Sequence, residues 1–340
     1  MNILITGGLG FIGINTALRY INKADNIILF DNLNKLGSLD NLKLVENNPI
    51  VKFEKGDLRS LNDVERVFKS NKFDLIFHLG AQTAVTTSLD NPTMDFETNA
   101  IGTFNVLECM RKYAKDGKLL FSSTNKVYGD LNDRVLNELE TRYVFAEDID
   151  GIGEDEILDF YSPYGCSKGT ADQYVRDYSR IYGLDTVVIR QSCIYGTYQN
   201  GTEDQGWVAW FVKRFLENGS ITIFGDGKQV RDILFIDDLI DFYELVVKKS
   251  KPGDIFNMGG GTNNTVSILE IVDIIKDKIP NSNVEISYNI ERDGDQKMFV
   301  SNNIKAMSLG WEPKYNVTKG VDKLIEYLKT KNNENIDVLP

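Results

Sequence analysis

Two hydrophobic rhythms alternate along this chain from its first residues. Asn2 to Thr6 is a short apolar run, after which Ile14, Ala17, Leu18 and Ile21 recur at helical spacing. Between them lies Gly7-Gly8-Leu9-Gly10-Phe11-Ile12-Gly13, so the opening reads strand, glycine turn, helix. Asn26 to Phe30 predicts a second strand with Asp31 at its carboxyl end, and Val51 to Glu54 a third that ends near Gly56-Asp57-Leu58. Leu61, Val64, Val67 and Phe68 share one helical face, and Asp74 to Leu79 is again strand-like. A helix through about Asn99 to Tyr113, strands at Lys118 to Ser122 and Thr186 to Arg190, and a helix carrying Tyr164 continue the alternation. Repeated strand–helix units of this length predict an α/β fold of Rossmann type, a doubly wound parallel sheet. Ligands on such sheets sit beyond the carboxyl ends of the strands. Asp31, Asp57, His78-Leu79-Gly80-Ala81 and Ser122-Ser123-Thr124 all fall there, so one crevice can collect them.

Beyond Arg190 the rhythm loosens. Trp207 to Leu216 is amphipathic, Ile221 to Phe224 a short strand, and Gly225-Asp226-Gly227 a turn. Val230 to Phe235 and Asp237 to Lys248 resume a strand–helix pair, and Gly259-Gly260-Gly261 precedes a helix from about Ser267 to Lys278. We divide the chain into a dinucleotide-binding domain, 1–190 plus about 230–258, and a smaller substrate-binding domain, about 191–229 plus 259–330, followed by a frayed Asn-rich tail, 331–340. Glu138 to Asp159 carries many acids and one base, Arg142, and reads as a solvated excursion or a lid.

Composition narrows the function. The chain has 340 residues and a net charge of −12, which disfavours nucleic-acid backbones and anionic membranes as partners. No apolar run is long enough to span a bilayer, and Met1 leads straight into a strand without a basic leader, so a soluble cytoplasmic protein is expected. Cys109, Cys166 and Cys193 are widely spaced and give no disulfide framework. The lone histidine, His78, has no second histidine to chelate with, and no metal site is expected.

Two constellations carry chemistry. In Ser162-Pro163-Tyr164-Gly165-Cys166-Ser167-Lys168, a phenol and an ammonium stand four residues apart behind a proline suited to opening a helix, so they share a face. A nearby cation favours the phenolate, which can take a proton from a substrate hydroxyl. The Gly8-x-Gly10-x-x-Gly13 turn between strand and helix suits a pyrophosphate, because small residues admit the backbone and the helix start offers free N–H groups. Asp31, about twenty residues on, accepts hydrogen bonds from an adenosine ribose and repels a 2′-phosphate, favouring NAD over NADP.

Together, the glycine turn, Thr124 and the Tyr164-x-x-x-Lys168 pair resemble the extended short-chain dehydrogenases/reductases that act on nucleotide sugars, over nearly the whole chain. Gln229-Val230-Arg231-Asp232 and Arg292-Asp293-Gly294-Asp295 match as well. The resemblance implies Tyr164 as the base, Lys168 lowering its pKa and holding the nicotinamide ribose, and Thr124 bonding the sugar hydroxyl. It implies NAD contacts from Gly7, Gly10, Phe11, Ile12, Asp31, Asn32, Asp57, Leu58, Leu79, Gly80, Ala81 and Ser122, with Asn99 positioning the machinery. It implies substrate contacts from Gln82, Thr124, Asn125, Lys126, Cys193, Arg231, Arg292 and Asp295, the two arginines gripping the diphosphate. Members of this family commonly pair through the helices that here carry Asn99 and Tyr164, so a homodimer or homotetramer is expected.

Within the family, the sugar 4,6-dehydratases carry Asp-Glu after the threonine, whereas this chain has Asn125-Lys126, which cannot replace that acid/base pair. The runs Ser122 to Leu131, Glu140 to Tyr143, Ser162 to Gly169, Asp204 to Trp207 and Gly227 to Asp232 resemble most closely the branch that epimerises CDP-linked dideoxy sugars at C2, with departures at Gln191 and Cys193. The implied chemistry is a transient oxidation at C2 with no net redox. A 4-epimerase, a dehydratase, a net keto-sugar reductase and a non-catalytic nucleotide sensor remain as alternatives. Lys126, near a strand end, is expected to add positive charge over the alkoxide or the pyrophosphate.

Overall fold

Alternate residues of each central strand face opposite sides of the sheet, and both sides are apolar. Ile3, Ile5, Ile27, Leu29 and Phe77 join one core, and Leu4, Ile28 and Ile76 join the other. That pattern demands helices on both faces, which is how the chain folds in the computed structural model, where residues 1–336 are described. The sheet has seven parallel strands. They are β1 (Asn2–Thr6), β2 (Asn26–Asp31), β3 (Val51–Lys55), β4 (Leu75–His78), β5 (Lys118–Thr124), Asp185–Gln191 and Ile255–Met258. From one edge the order is Ile255–Met258, Asp185–Gln191, β5, β4, β1, β2, β3. The direction of winding reverses between β4 and β1, so a crevice opens at their carboxyl ends. Thr6 pairs with both Phe30 and His78, which brings three strand ends level.

Helix α1 (Phe11–Tyr20) and the helix Ile236–Lys249 cover one face. The helices Leu61–Ser70, Gly102–Tyr113 and Ser162–Tyr182 cover the other. Leu61, expected on the buried face of its helix, is instead 43% exposed, because it is the first helical residue and precedes the turn that meets the sheet. The helix expected from Asn99 is already under way at Pro92–Phe96, passes through a π-turn, Glu97–Ile101, and becomes regular again at Gly102.

A smaller set of sheets sits over the crevice. Ser220–Phe224 pairs with Glu285–Asn289, while Val230–Phe235 pairs with Cys193–Tyr195, Thr265–Ser267 and Met298–Phe299. Val230–Phe235 was grouped above with the dinucleotide-binding sheet, and the structure places it in this small lobe. Asp232 explains why: its carboxylate has no exposure and takes N–H groups from Gly261 at 3.1 Å and Ser301 at 2.9 Å, donors that only the small lobe supplies. The chain rejoins the main sheet through Ile236–Lys249 and the edge strand Ile255–Met258.

The acidic stretch 138–159 is a surface excursion, most of whose acids are exposed as expected, and it is anchored to the rest of the fold at several points. A hairpin, Leu136–Glu138 with Tyr143–Phe145, docks on the small lobe through Arg142 to Glu270, Tyr143 to Asp226 at 2.6 Å and Lys228 to Glu138 at 2.6 Å. Ile152 continues the attachment by accepting from Asn302 N at 2.9 Å and donating to Val300 O at 2.8 Å. Of its acids, Glu138 meets a base from a distant segment, Lys228, while Glu147 and Glu156 meet Arg134 just upstream. The tail expected to fray from 331 is helical to Ile336, within Val317–Ile336, and 337–340 lie outside the described residues.

One ion pair locks the helix that carries Tyr164 to the sheet. Asp172, fully buried, accepts from Arg190 Nε and Nη2 at 3.0 Å each and from Ser123 Oγ at 2.7 Å. Arg190 Nη1 donates to the Tyr128 hydroxyl at 3.0 Å, which donates in turn to Asn257 at 2.7 Å. Removing one partner of such a pair strands a buried charge, at a cost of about 3–5 kcal/mol. Asp172→Ala is therefore expected to lose stability of that order in urea unfolding followed by circular dichroism. A loss below about 1 kcal/mol, the range of an exposed pair, would show that the pair does not hold the helix.

Candidate active site

The glycine turn closes tightly on its neighbours. Gly7 has φ +63°, and a Cβ there would lie 2.6 Å from Gly80 Cα; a Cβ on Gly13 would lie 2.2 Å from Gly7 O. Helix α1 therefore starts at the crevice floor with Gly10 as N-cap and no side chain occupying its N–H groups. That is the geometry that receives an anionic group. Asp31, at the end of β2, is nearly buried and accepts from Leu33 N at 2.8 Å and Leu9 N at 3.1 Å. Burial raises its pKa, and those backbone donors oppose the rise.

These groups open onto a cleft of about 630 Å³, within the span of cofactor and small-molecule sites. Gly7, Gly10, Phe11, Ile12, Asp31, Asn32, Asp57, Leu58, Leu79, Gly80 and Ala81 line one end. Gln82, Ser122, Thr124, Tyr164, Lys168 and Cys193 line the other, with Gln191, Ser192 and Trp207. Asp57 is paired with Arg59, whose Nη2 donates at 2.8 Å and whose guanidinium lowers the carboxyl pKa.

Tyr164 and Lys168 enter from the first and second turns of the helix Ser162–Tyr182, where Pro163 occupies an early helical position. Thr124 ends β5, and its hydroxyl lies beside the Tyr164 phenol, close enough to favour the ionised form. Burial pushes that phenol up to about 12, the Thr124 hydroxyl lowers it, and the Asp95 charge raises it. Lys168 Nζ donates to Ser122 O at 2.6 Å and stands 4.2 Å over the Phe121 ring, and burial drives its own pKa down to about 7.

Asn99 is behind the cleft wall, not in it. Its amide donates to Gln82 O at 3.1 Å, Asp95 at 3.2 Å and Ser167 Oγ at 3.0 Å, so it fixes the helix of Tyr164 from behind. Gln82 also spends its side chain inward, donating to Asp95 at 2.8 Å and Ala84 O at 2.8 Å. His78 is a packed strand-end residue. Gly80 N donates to Thr6 Oγ1 at 3.2 Å and Thr103 Oγ1 to Asn99 O at 2.6 Å. The Thr6 hydroxyl is 2.7 Å from Nδ1 and that of Thr103 is 2.9 Å from Nε2. With the Thr103 proton committed to Asn99, Nε2 carries the hydrogen and Nδ1 accepts from Thr6. Burial lowers the imidazole to about 3, so it stays neutral.

Five expected substrate residues do not line the cleft: Asn125, Lys126, Arg231, Arg292 and Asp295. Asn125 donates to Gln296 at 2.9 Å, and Lys126 Nζ to Gly294 O at 2.7 Å. Burial, then the Arg231 charge, lowers that ammonium to about 8. Arg231 lies 3.7 Å from Asp295, while Arg292 pairs with Asp204 at 2.9 Å and covers the Phe224 ring at 3.7 Å. Their positive charge is met by carboxylates of the same lobe.

Sequence reasoning missed three residues. Asp95, fully buried, joins Gln82, Asn99 and Ser167; its spacing of four from Asn99 behind Asn91-Pro92 was the available signal. Trp207 Nε1 donates to Cys193 Sγ at 3.1 Å and forms a wall of the cleft. Lys35 bridges Thr83 Oγ1 and Gln205 Oε1, each at 3.2 Å, from the loop after β2. Trp207 ends the run Asp204 to Trp207 noted above, which was its available signal, whereas Lys35 had none because its partners are distant in the chain.

The profile of the family described as GDP-mannose 4,6-dehydratase matches residues 4–324, and the chain belongs to this family of extended short-chain dehydrogenases/reductases, which depend on NAD. It is 43% identical over 335 residues to a CDP-paratose 2-epimerase of Salmonella typhi, covering 96% of this chain and 99% of that protein. The UDP-glucose 4-epimerase of Thermotoga maritima, solved with UDP-glucose, superposes with a TM-score of 0.85 at 32% identity, covering 98% of this chain and all of that one. The UDP-glucose 4-epimerase of Thermus thermophilus, solved with NAD, gives 0.83 at 28%, covering 97% and 99%.

Two outcomes follow from this geometry. In protein stripped of nucleotide, the phenolate absorbance that Tyr164→Phe removes is expected only near pH 12; a Tyr164-dependent signal below about pH 10, the ordinary tyrosine value, would mean that burial does not govern the phenol. Asp31→Ala is expected to cut the dinucleotide retained through purification about tenfold or more, as loss of a charged hydrogen bond implies. Unchanged content would remove Asp31 from the ribose.

Proposed function

We propose that this protein inverts C2 of a CDP-linked 6-deoxy or dideoxy sugar of the paratose and tyvelose type through a transient 2-keto sugar. The carrying observation is the meeting of Tyr164, Thr124 and Lys168 in the same cleft as the glycine turn and Asp31. The 43% identity to a CDP-paratose 2-epimerase supports the choice of nucleotide and carbon. Asn125 and Lys126 support it further, since they offer neither acid nor carboxylate for expelling water.

The residues divide the work. The bare start of α1, Asp31 and Asp57 suit the two phosphates and the ribose of NAD, which when bound supplies a hydride acceptor and then the donor. Thr124 Oγ holds the sugar hydroxyl against the Tyr164 oxygen, and Tyr164 withdraws the hydroxyl proton and later returns it. Lys168, held by Ser122 O, orients the nicotinamide ribose and supplies positive charge beside the phenol as it ionises. The ketone turns within the cleft and is reduced on its other face, so nothing is consumed. Cys193 and Trp207 give the sugar end a wall less polar than a hydroxyl would, which suits a deoxygenated sugar. Gln82, Arg231, Arg292 and Asp295 are assigned to the sugar nucleotide, with the arginines exchanging their carboxylate partners for the diphosphate. Asn99 acts on the site through Ser167 and Asp95.

We place the enzyme in the cytoplasm, with the small lobe as the nucleotide-sugar-binding unit. It works as a homodimer or a pair of dimers through the exposed apolar face formed by Ile101, Phe104, Tyr174, Ile181 and Tyr182.

Incubation with CDP-paratose and with CDP-tyvelose separately, without added cofactor, is expected to give the same mixture by NMR from either side. A C4 epimer, a stable keto product or a need for added NADH would overturn the reading. Tyr164→Phe is expected to lower kcat by about 10²–10⁴, the range of general acid–base catalysis, with melting temperature and bound NAD retained. Near-normal turnover would remove Tyr164 as the base.

A further inference from the structure

We propose that Asn125 and Lys126 are positioning residues, a clasp that holds the small-lobe loop Arg292–Gln296 down on the turn that carries Thr124. It rests on the epimerase reading for the role of Thr124 and for the diphosphate at Arg231, while the contacts of the clasp stand without it. The turn is a single 3₁₀ element, Asn125–Tyr128, capped by Thr124, whose hydroxyl accepts from Lys126 N at 3.2 Å. The hydroxyl that faces the phenol is therefore part of the same turn as the clasp.

Both side chains leave that turn in the direction of the small lobe. Asn125 donates to Gln296 Oε1 at 2.9 Å, and Gln296, itself 1% exposed, returns its amide to Gly129 O at the far end of the turn. Lys126 Nζ donates to Gly294 O at 2.7 Å and lies 4.0 Å from Asp295 Oδ1. Three consecutive loop residues are thus held by one turn. The loop also touches the start of the helix of Tyr164: a Cβ on Gly294 would lie 3.6 Å from Ser162 Cβ and 3.8 Å from the Tyr161 ring. Gly165 closes the arrangement from the helix side, since a Cβ there would lie 3.1 Å from Lys126 O. The loop, the turn of Thr124 and the helix of Tyr164 meet around Lys126.

Charge gives the clasp a means of responding. Asp295 stands between two cations, 4.0 Å from Lys126 and 3.7 Å from Arg231, too long for a hydrogen bond to either. A diphosphate drawn to Arg231 takes over its partnership and leaves Asp295 to Lys126, which tightens the hold on the loop. Occupation of the small lobe then reaches Thr124 through two residues that never touch the sugar.

The test is hydrogen–deuterium exchange on holoenzyme of wild type, Lys126→Met, Asn125→Ala and Lys126→Arg, read beside kinetics with the CDP sugars. Peptides covering 290–297 are expected to exchange about ten- to a hundredfold faster in Lys126→Met, the ratio that loss of a charged hydrogen bond implies, while peptides of β1 match wild type. Asn125→Ala is expected to move the same peptides less, and Lys126→Arg to restore most of the protection. In turnover, kcat falls about tenfold or more in Lys126→Met and is largely restored in Lys126→Arg, with any change in KM accompanying that fall because occupation of the small lobe and the clasp are coupled. Unchanged exchange at 290–297 in both Lys126→Met and Asn125→Ala would overturn the clasp, and so would a rise in KM alone. If wild type turns over neither CDP sugar, the epimerase reading fails and the exchange result still decides the clasp.

Discussion

The phenol at the centre of this cleft is buried where ionisation is opposed. The Tyr164 phenol is pushed up to about 12 and the Lys168 ammonium down to about 7, each chiefly by loss of water. One pKa unit is worth about 1.4 kcal/mol, so holding the phenolate near neutrality needs several kcal/mol from groups fixed in advance. Much of the surrounding architecture supplies that fixity. Thr124 comes from a strand end, Lys168 is pinned by Ser122 O, and the helix behind them is bolted down by Asp172 and Arg190 on one side and by Asn99, Asp95 and Ser167 on the other. Pre-aligned dipoles of this kind need no reorganisation when charge develops, which is why a rigid and partly ionic interior serves catalysis although it adds little to stability.

The main sheet was readable because its signals are local. Apolar runs followed by helical spacing gave six of its seven strands and their covering helices, though not the edge strand Ile255–Met258, and the glycine turn and Asp31 follow from backbone sterics and a strand end. The residues at the carboxyl ends do collect in one cleft, as the doubly wound order requires. The small lobe was harder, since its strands pair across large separations: Val230–Phe235 meets segments from 193, 265 and 298, and nothing within the strand announces partners so distant. Segment 138–159 was legible as an exposed acidic excursion, whereas its anchors were not, because Arg142 reaches Glu270 and Lys228 reaches Glu138 across large separations in the chain.

At the site, chemistry was more legible than direction. The pairing of Tyr164 with Lys168 on one helix face was predictable from spacing, whereas what the ammonium does with its charge was not, because Ser122 O and the Phe121 ring belong to another element. Asn125, Lys126, Arg231 and Arg292 were expected to face a ligand. A motif states which residue types cluster, and their present partners, carboxylates and carbonyls of the 292–296 region and Asp204, become visible only in three dimensions.

The bridge formed by Lys35, Thr83 and Gln205 crosses from one lip of the cleft to the other, and its bonds face solvent. Each such bond is worth about 0.5–1.5 kcal/mol, so the whole crossing yields to thermal motion well before the fold does. It can order the rim and set the approach of an incoming molecule. Long residence of an occupant must instead originate deeper, at the glycine floor and the acidic strand ends, where water has no ready competing access.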